Sequence, residues 1–363
     1  MHVAILVPSL HGGGAEFVAS QWGTYLRDKG DEVTFFTTHA NANSQSEHVP
    51  GRWFGERVLS LRSQVKKSKF DTILALGPYW NLLAIISTRL LRHPPAVVIS
   101  GRTMERAARR VRNNKWIEIF LAKFWYRRAD GYIAISHPTA AEAEAMFGIN
   151  ADRMWVIPNP AIAKITSTLP RSSSQTSAIS ADVTLEIAVP GRLTSSKRPS
   201  LAVAVAQHCR EITGRETRVH FFGSGKAEAS LRASTSPGIE IVFHGWIERW
   251  FEVAPTNAIV LVTSQLEGFA NVLVESAAAG FPSVASSRAL GVCDAIIPGL
   301  TGQLAVSDSI EDYSRAVLAA EAIKPDERIL PWLHRFSAES SGMLLREALV
   351  EAKSSASRQA SRS

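Results

Sequence analysis

The sequence predicts an α/β protein made of two doubly wound domains in tandem. Short apolar strands alternate with helical patterns almost from end to end, which is typical of parallel α/β architecture. A polar stretch without periodicity interrupts this alternation between Pro160 and Asp182, and it contains a serine-rich run from Ser172 to Ser177. The alternation then begins again, and a chain of 363 residues can bury two separate cores.

Each predicted element follows from the period of its apolar residues. In the first half, strands are predicted at Val3–Val7, Val33–Phe36, Thr72–Leu76, Ala96–Ile99, Tyr132–Ile135 and Met154–Ile157. Helices are predicted between them at Ala15–Lys29, Asn81–Leu91, Met104–Arg127 and Pro138–Phe147. In the second half, strands are predicted at Leu185–Val189, Arg218–Phe222, Ile239–Phe243, Ile259–Thr263, Ser283–Ala285 and Gly302–Ala305. The corresponding helices are predicted at Pro199–Arg210, Ala227–Ala233, Asn271–Ala279, Ile310–Ala320 and, with an amphipathic pattern, Ser340–Lys353.

These elements divide the chain into five segments. We expect an N-terminal domain at 1–160, a linker at 161–182, a C-terminal domain at 183–335, a C-terminal helix at 336–353 that could return to the N-terminal domain, and a disordered Ser/Arg tail at 354–363. Doubly wound domains bind their ligands beyond the carboxyl ends of the strands. A cleft between the two domains is therefore the expected site.

The composition indicates an ordinary cytoplasmic protein. Apolar residues make up 45% of the chain and charged residues 20%, as in soluble globular proteins. Cys209 and Cys293 provide neither a disulfide framework nor the spacing of metal ligands. The first strand has no basic leader before it, and no run approaches the roughly 18 uninterrupted apolar residues of a membrane-spanning helix.

The formal net charge of +7 indicates an anionic partner. Basic residues are concentrated between Arg102 and Arg128, where aromatic and aliphatic residues are interleaved with them. This pattern favours an anionic membrane surface, contacted through Arg106, Arg109, Arg110, Arg112 and Trp116. The alternative is a long helix whose aromatic face is buried and whose basic face is solvated. Nucleic-acid binding is not favoured, because no recognisable nucleic-acid-binding module is present.

The segment from Glu267 to Glu275 is the most informative part of the sequence. An acidic-Gly-aromatic turn, Glu267-Gly268-Phe269, follows a predicted strand and precedes a predicted helix. A helix N-terminus at such a turn can bind a phosphate group. The two carboxylates suit a hydroxyl-rich ligand, because each can accept several hydrogen bonds. Phosphate and polyol together indicate a nucleotide sugar, although an ordinary turn with solvated acids has the same pattern.

Other motifs also fall at predicted strand ends. Gly191-Arg192-Leu193 is followed by Lys197, and this pair of cations could reach one diphosphate. Gly12-Gly13-Gly14 lies between a strand and a helix, where glycines allow a close approach of the backbone to a ligand. It lacks the spacing of the dinucleotide-binding fingerprint. Gly223-Ser224-Gly225 is expected only to form a bend.

In combination, these motifs resemble the fourth family of retaining glycosyltransferases, which has the two-Rossmann-domain GT-B fold. The likeness extends in order from residue 1 to about residue 305. It is carried by Gly12-Gly13-Gly14-Ala15-Glu16, Ala129-Asp130-Gly131-Tyr132-Ile133-Ala134-Ile135-Ser136, Val156-Ile157-Pro158-Asn159, Gly191-Arg192-Leu193, Gly245-Trp246 and the Glu267 to Glu275 element. The members that look most similar extend lipid-linked or surface polysaccharides at the bacterial inner membrane.

The resemblance implies a role for each matching residue. Arg192 and Lys197 match the residues that bind and stabilise the donor diphosphate. Glu267 matches the acid that contacts the transferred hexose, and Glu275 matches the acid that binds the ribose hydroxyls. Gly13 and Gly14 match the first-domain loop that closes over the diphosphate. The backbone that cradles the sugar and phosphate is matched by Gly268, Phe269, Ala270, Asn271, Val272 and Leu273.

One position departs from the family pattern. Relatives often carry a histidine at the end of the fourth strand, where this sequence has Arg102. Arginine cannot act as a base but could hold a phosphate of the donor or acceptor. The expected function is transfer of a hexose from a UDP- or GDP-sugar to a glycan or polyprenyl-diphosphate-linked acceptor at the inner face of the cell membrane. A sugar-nucleotide epimerase and a degenerate, non-catalytic transferase are the alternatives.

No cofactor is expected besides the donor substrate. The sequence contains no Asp-x-Asp motif, so a metal clamp for the diphosphate is not indicated. Two basic side chains, Arg192 and Lys197, are expected to neutralise the diphosphate instead.

Overall fold

The computed structural model describes residues 1–10, 14–38, 46–89, 91–104, 116–165, 183–233 and 238–360, with only the backbone for 116–119 and 359–360. The chain divides into two compact units, one formed by Met1–Pro160 with Arg335–Ser363 and the other by Ala161–His334. The described residues of each unit form a wholly parallel sheet. The predicted α/β class is therefore confirmed.

The first unit contains a seven-stranded sheet in the order β3-β2-β1-β4-β5-β6-β7. Its strands are β1 (His2–Leu6), β2 (Glu32–Thr37), β3 (Ser46–His48), β4 (Thr72–Leu76), β5 (Ala96–Gly101), β6 (Gly131–Ala134) and β7 (Met154–Val156). Its helices are α1 (Gly14–Asp28), α2 (Phe54–Ser68), α3 (Pro78–Thr88), α4 (Trp116–Trp125), α5 (His137–Phe147) and α11 (Ala338–Ala360). The strand order reverses between β1 and β4, which places the end of β1 at the switch point.

The C-terminal helix α11 packs on the same face of this sheet as α1. Leu345 and Leu349 of α11 are buried in one cluster with Trp22 of α1 and the strand residue Val3. The indole of Trp22 donates a hydrogen bond to the hydroxyl of Ser341 at 2.8 Å. The last helix of the chain therefore completes the core of the first unit.

Asp31, in the turn before β2, also ties α11 to this unit. Its side chain is buried, and the guanidinium of Arg346 donates a hydrogen bond to it at 2.7 Å. Burial tends to raise the pKa of Asp31, but the hydrogen bonds from Arg346 and the chain's amino group outweigh burial, so the pKa lies below its usual value. The ionised carboxylate therefore stabilises the folded state above the ordinary carboxyl pKa, and this stabilisation is lost as the pH falls through the lowered value.

We expect Asp31→Asn to lower the free energy of unfolding by about 2 kcal/mol at pH 7, because charged hydrogen bonds are lost. The difference from wild type should shrink on acidification, as the wild-type carboxylate itself takes up a proton. Urea denaturation at pH 7 and at pH 3 measures both quantities. The exposed Asp28→Asn is the control and should be neutral. A penalty for Asp31→Asn that does not change with pH would contradict the assignment.

The second unit contains a six-stranded sheet in the order β10-β9-β8-β11-β12-β13. Its strands are β8 (Leu185–Pro190), β9 (Thr217–Phe222), β10 (Ile239–Phe243), β11 (Ile259–Val262), β12 (Ser283–Ser286) and β13 (Gly302–Ala305). Its helices are α6 (Pro199–Thr213), α7 (Glu228–Ala233), α8 (Asn271–Ala278), α9 (Ile310–Ala320) and α10 (Leu330–His334). The order reverses between β8 and β11, so the loops that follow these two strands flank the switch point.

The structure corrects several predicted elements. Residues 161–165 of the predicted linker form a turn that belongs to the second unit, while 166–182 lie outside the described residues. The tail was predicted to be disordered from Ser354, but α11 continues to Ala360 with ordinary helical side-chain bonding, such as Ser354 Oγ to Val350 O at 2.9 Å. The predicted helix Met104–Arg127 is described only from Trp116 onward.

Two elements of the first unit were not predicted. Strand β3 is a short polar edge strand with no apolar periodicity. Helix α2 buries only Val58, Leu61 and Val65 along a narrow stripe, so its sequence is mostly polar.

Candidate functional site

The loops after β8 and β11 are joined to each other by hydrogen bonds. The backbone N–H of Gln265 donates to the carbonyl of Ser196 at 3.0 Å. The hydroxyl of Thr263 donates to the carbonyl of Lys197 at 2.8 Å, and the guanidinium of Arg198 donates to the carbonyl of Thr263 at 2.7 Å. These bonds hold the two loops in one arrangement at the switch point, where doubly wound folds bind ligands.

This arrangement brings Lys197 and Glu267 into direct contact. The Nζ atom of Lys197 lies 2.5 Å from Oε1 of Glu267, and their side chains are 35% and 12% exposed. Arg192, on the same loop as Lys197, is exposed, and its guanidinium makes no hydrogen bond or ion pair within the described residues. A lysine held by a carboxylate and an available arginine fit the binding of a diphosphate attached to a polyol.

Glu275 lies in the second turn of α8, where it is 3% exposed. Its Oε1 atom is 3.0 Å from Nζ of Lys164, and its Oε2 atom accepts a hydrogen bond from the indole of Trp250 at 3.1 Å. The structure thus pairs this carboxylate with two residues that the sequence did not assign to the site. It does not pair Glu275 with Lys197 or Arg192.

The N-terminus of α8 begins at an unusual backbone position. Ala270 is the N-cap residue and has φ 72° and ψ 74°, in the left-handed region that non-glycine residues seldom adopt. Alanine cannot supply the side-chain oxygen that usually caps a helix. Phe269 and Leu273 are buried, so only their backbone can face a ligand. The role of this segment as a backbone cradle for the donor stays a prediction.

Glycines let the loops of this edge pack backbone against backbone. A Cβ atom on Gly223 would lie 1.9 Å from the carbonyl oxygen of Gly191, and one on Gly291 would lie 2.2 Å from that of Gly268. The turn at Gly223 was predicted only to form a bend. In the structure it also supports the loop that carries Arg192 and Lys197, because the Leu193 N–H donates to the Ser224 carbonyl at 2.9 Å.

In the first unit, Arg102 follows β5 and packs against α1. Its guanidinium lies 5.5 Å from the centroid of the Trp22 ring and donates to Oδ1 of Asn159 at 2.7 Å. The Nη1 atom is buried and makes no hydrogen bond to the part of the chain that the structure describes. Burial lowers the pKa of Arg102 to about 10, so the side chain stays protonated at neutral pH. Arg102 therefore cannot replace a histidine as a base.

Several predicted site residues lie outside what the structure describes. Gly13 and the basic residues Arg106, Arg109, Arg110 and Arg112 are among them, and for Trp116 only the backbone is described. Gly14 is the first residue of α1, and a Cβ atom there would meet nothing within 4 Å.

Helix α4 presents aromatic residues to its surface. Phe120 is 70% exposed and Phe124 is 52% exposed, whereas Ala122 and Tyr126 are buried in the core. The guanidinium of Arg128 lies 4.0 Å from the centroid of the Phe124 ring. The aromatic residues of this segment are thus divided between the core and the surface, and the interpretation as a membrane surface stays a prediction. Among the described helices, none has the length and apolar character needed to span a bilayer.

Lys164, Trp250 and Arg198 were missed by the sequence analysis. Lys164 is an isolated lysine in a polar stretch, and no residue pattern links it to Glu275. Arg198 directly follows Lys197, and only this position could have suggested a role for it. Its backbone has φ 48°.

Two doubly wound units, with carboxylates, cations and a helix N-terminus at the strand ends, are typical of nucleotide-binding α/β proteins. The profile described as "Glycosyltransferase Family 4" matches residues 12–161, and that described as "Glycosyl transferases group 1" matches residues 184–321. The two profiles cover successive parts of the chain. The chain belongs to the glycosyltransferases of the GT-B fold, and the predicted resemblance is confirmed.

Individual relatives agree with this assignment. The lipopolysaccharide 1,6-galactosyltransferase of Salmonella typhimurium (strain LT2) is 32% identical over 108 residues, a match that spans only 28% of this chain and 30% of that protein. The apo structure of the lipopolysaccharide outer core galactosyltransferase WaaB has a TM-score of 0.75 at 20% identity, covering 96% of this chain and 99% of that one. Anabaena HepE in complex with UDP and glucose has a TM-score of 0.64 at 15% identity, with 100% of each chain covered.

Proposed function

We propose that this protein transfers a hexose from a nucleoside diphosphate sugar to a hydroxyl of a glycan acceptor, with retention of the anomeric configuration. The proposal depends chiefly on the contact of Lys197 with Glu267 at the switch point beside the α8 N-terminus. This contact places a cation for a phosphate beside an acceptor of sugar hydroxyl hydrogen bonds. The complex of HepE with UDP and glucose shows that a protein of the same fold holds both parts of such a donor.

The proposed roles of the site residues follow from where charge develops during the transfer reaction. As the bond between the anomeric carbon and the phosphate oxygen lengthens, positive charge grows on the sugar ring and negative charge on the diphosphate. Lys197, Arg192 and the N-terminus of α8 are preorganised to stabilise the departing diphosphate. The diphosphate oxygen accepts the proton of the attacking hydroxyl, so no protein base is required at Arg102. With these cations on one loop, we also propose that transfer needs no divalent metal.

Arg102 is proposed to bind an anionic group of the acceptor or donor. Its Nη1 atom is buried and has no hydrogen-bond partner among the described residues, which is a costly state that an anionic oxygen would relieve. The nearby Trp22 ring and Asn159 fix the plane of the guanidinium. An arginine held in a fixed plane can bind a phosphate with two parallel hydrogen bonds.

We propose that the acceptor is a lipid-linked glycan or lipopolysaccharide core and that the donor base is uracil or guanine. The Salmonella relative is a lipopolysaccharide galactosyltransferase, which supports an acceptor of this class. Incubation with UDP- and GDP-hexoses, with and without a crude lipid-linked acceptor, tests the proposal. Acceptor-dependent release of nucleoside diphosphate is expected. Release of a free epimerised sugar nucleotide, or no turnover with any donor, would instead support an epimerase or a non-catalytic protein.

We further propose that the protein works in the cytoplasm at the inner face of the cell membrane. The exposed rings of Phe120 and Phe124 beside the cation of Arg128 support insertion into an anionic interface. The basic residues at 106–112 precede this helix in the sequence. Each cation near an anionic surface contributes about 1 kcal/mol.

We expect the triple charge reversal Arg109→Glu, Arg110→Glu and Arg112→Glu to weaken binding to phosphatidylglycerol vesicles by at least about 100-fold. The double variant Phe120→Ser with Phe124→Ser should also weaken binding to the vesicles. Because this loss comes from apolar contacts, raising the salt concentration of the wild type should not reproduce it. Co-sedimentation with anionic and neutral vesicles measures both effects. Arg315→Glu, at an exposed position of the second unit, is the control and should bind like wild type. Unchanged sedimentation of both variants would rule out this surface.

A further inference from the structure

The carboxylate of Glu275 is held at both of its oxygens. Lys164 Nζ lies 3.0 Å from Oε1, and the Trp250 indole donates to Oε2 at 3.1 Å. The Glu275 side chain is 5% exposed and that of Lys164 is 20% exposed. Burying a carboxylate is costly unless a cation and hydrogen bonds compensate for its lost hydration, and these two residues provide both.

Neighbouring residues fix the two partners of Glu275. Arg249, which precedes Trp250, donates from Nη1 to the carbonyl of Lys164 at 2.8 Å. A turn bond from Ile165 N–H to the Ile162 carbonyl at 2.9 Å shapes the segment around Lys164. Residues 249 and 250 thus hold the backbone of Lys164 and the side chain of Glu275 at the same time.

Aromatic packing fixes the indole itself. The Trp250 ring lies 6.2 Å from that of Phe222 and 5.9 Å from those of Phe251 and Phe281, and it is 3% exposed. An indole packed in this way has one available direction for its N–H. This hydrogen bond and the ion pair to Lys164 hold one oxygen each and so restrict the rotation of the Glu275 carboxylate.

A carboxylate has about four acceptor positions, two on each oxygen. Lys164 and Trp250 occupy one on each oxygen, which leaves one acceptor on each oxygen of Glu275. Two neighbouring acceptors match the two hydroxyls of a cis-diol, such as the 2′- and 3′-hydroxyls of ribose. A carboxylate free to rotate would bind the same diol less well, because its orientation would have to be fixed on binding.

We propose that Lys164 and Trp250 are positioning residues that orient Glu275 for the ribose diol, and that this arrangement selects ribonucleotides over 2′-deoxyribonucleotides. The inference rests on the proposed nucleoside diphosphate donor. In the alternative role, the ammonium group of Lys164 is a placeholder that occupies the position of the ribose diol until the donor displaces it. The two roles predict opposite effects of removing the ammonium group, because a positioning residue strengthens donor binding and a placeholder weakens it.

Calorimetric titration of the full chain with UDP, GDP and their 2′-deoxy forms tests the inference. Wild type should bind the ribonucleotide about 10- to 100-fold more tightly than the deoxy form, as expected where a site hydrogen-bonds a hydroxyl. Lys164→Met should weaken ribonucleotide binding about 10-fold or more and bring the ribo-to-deoxy ratio close to one. Lys164→Arg should keep part of the selectivity, and the exposed Lys324→Met should behave like wild type.

Trp250→Phe provides a second variant that keeps the aromatic packing and removes only the N–H donor. Trp250→Phe should also lower the ratio of ribonucleotide to deoxyribonucleotide affinity. The double variant Glu275→Gln with Lys164→Met should bind UDP and GDP no more weakly than Lys164→Met alone. A merely structural role would change thermal stability but not this ratio. Unchanged or tighter binding of UDP and GDP by Lys164→Met would overturn the inference and leave the proposed function intact. Failure of wild type to bind either ribonucleotide would overturn both.

Discussion

Lys197→Met is expected to lower turnover with a saturating donor by about 100- to 1,000-fold, the usual effect of removing one preorganised group that stabilises developing charge. The reason is the position of Nζ, held 2.5 Å from Glu267 on a loop bonded to the β11 loop. The charge on the diphosphate is largest in the transition state, so the loss should fall on kcat more than on KM. Steady-state release of nucleoside diphosphate measures the two parameters.

The ion pair makes the control variants essential. Lys197→Met leaves the Glu267 carboxylate unpaired, and repulsion between that carboxylate and the diphosphate could itself reduce turnover. Glu267→Gln in the Lys197→Met background removes this repulsion, so recovery of turnover would assign the loss to repulsion. Glu267→Gln alone measures what the loss of that carboxylate costs, and a larger loss in Lys197→Met than in Glu267→Gln assigns the difference to the missing cation. Lys324→Met, at an exposed position of the same unit, should turn over normally. Near-normal turnover of Lys197→Met would remove Lys197 from the catalytic groups.

Much of the fold was predictable because buried parallel strands are short, apolar and separated by amphipathic helices. Thr72–Leu76, Ile239–Phe243 and Gly302–Ala305 occur with the predicted bounds. Thr72–Leu76 is a nearly continuous apolar run, and Ile239–Phe243 is apolar except at Glu240. Strand β3 and helix α2 escaped prediction because the first is polar and the second buries only a narrow stripe.

Only those residues of the candidate site that lie in a local sequence motif were predictable. The segment from Glu267 to Glu275 and the Lys197 position are local patterns at strand ends, and the structure brings Lys197 and Glu267 together. Lys164 and Trp250 reach Glu275 from sequence separations that no local pattern encodes. Their partnership depends on tertiary packing, in particular on the aromatic residues around Trp250.

Gly291→Ala is expected to reduce kcat/KM by about 100-fold although Gly291 carries no side chain that could contact a ligand. A Cβ atom at this position would lie 2.2 Å from the Gly268 carbonyl oxygen and 2.6 Å from that of Glu267. These are backbone atoms of the turn before α8, and they cannot move aside as a flexible side chain can. The turn must shift, and a displacement of about 1 Å at a catalytic group can cost about 100-fold in rate.

Gly291→Ala should have a small effect on the free energy of unfolding and a large effect on donor turnover. Overpacking by one methyl group typically costs about 1–3 kcal/mol, so the variant should remain folded at room temperature. Circular dichroism and the urea midpoint measure this cost, and donor turnover measures the displacement of the turn. Gly291→Val should be worse than Gly291→Ala in both respects, since the clash grows with side-chain size. Because Glu267 pairs through a bridge with Leu290, next to Gly291, a normal kcat/KM for Gly291→Ala would show that the turn geometry is not needed for donor binding.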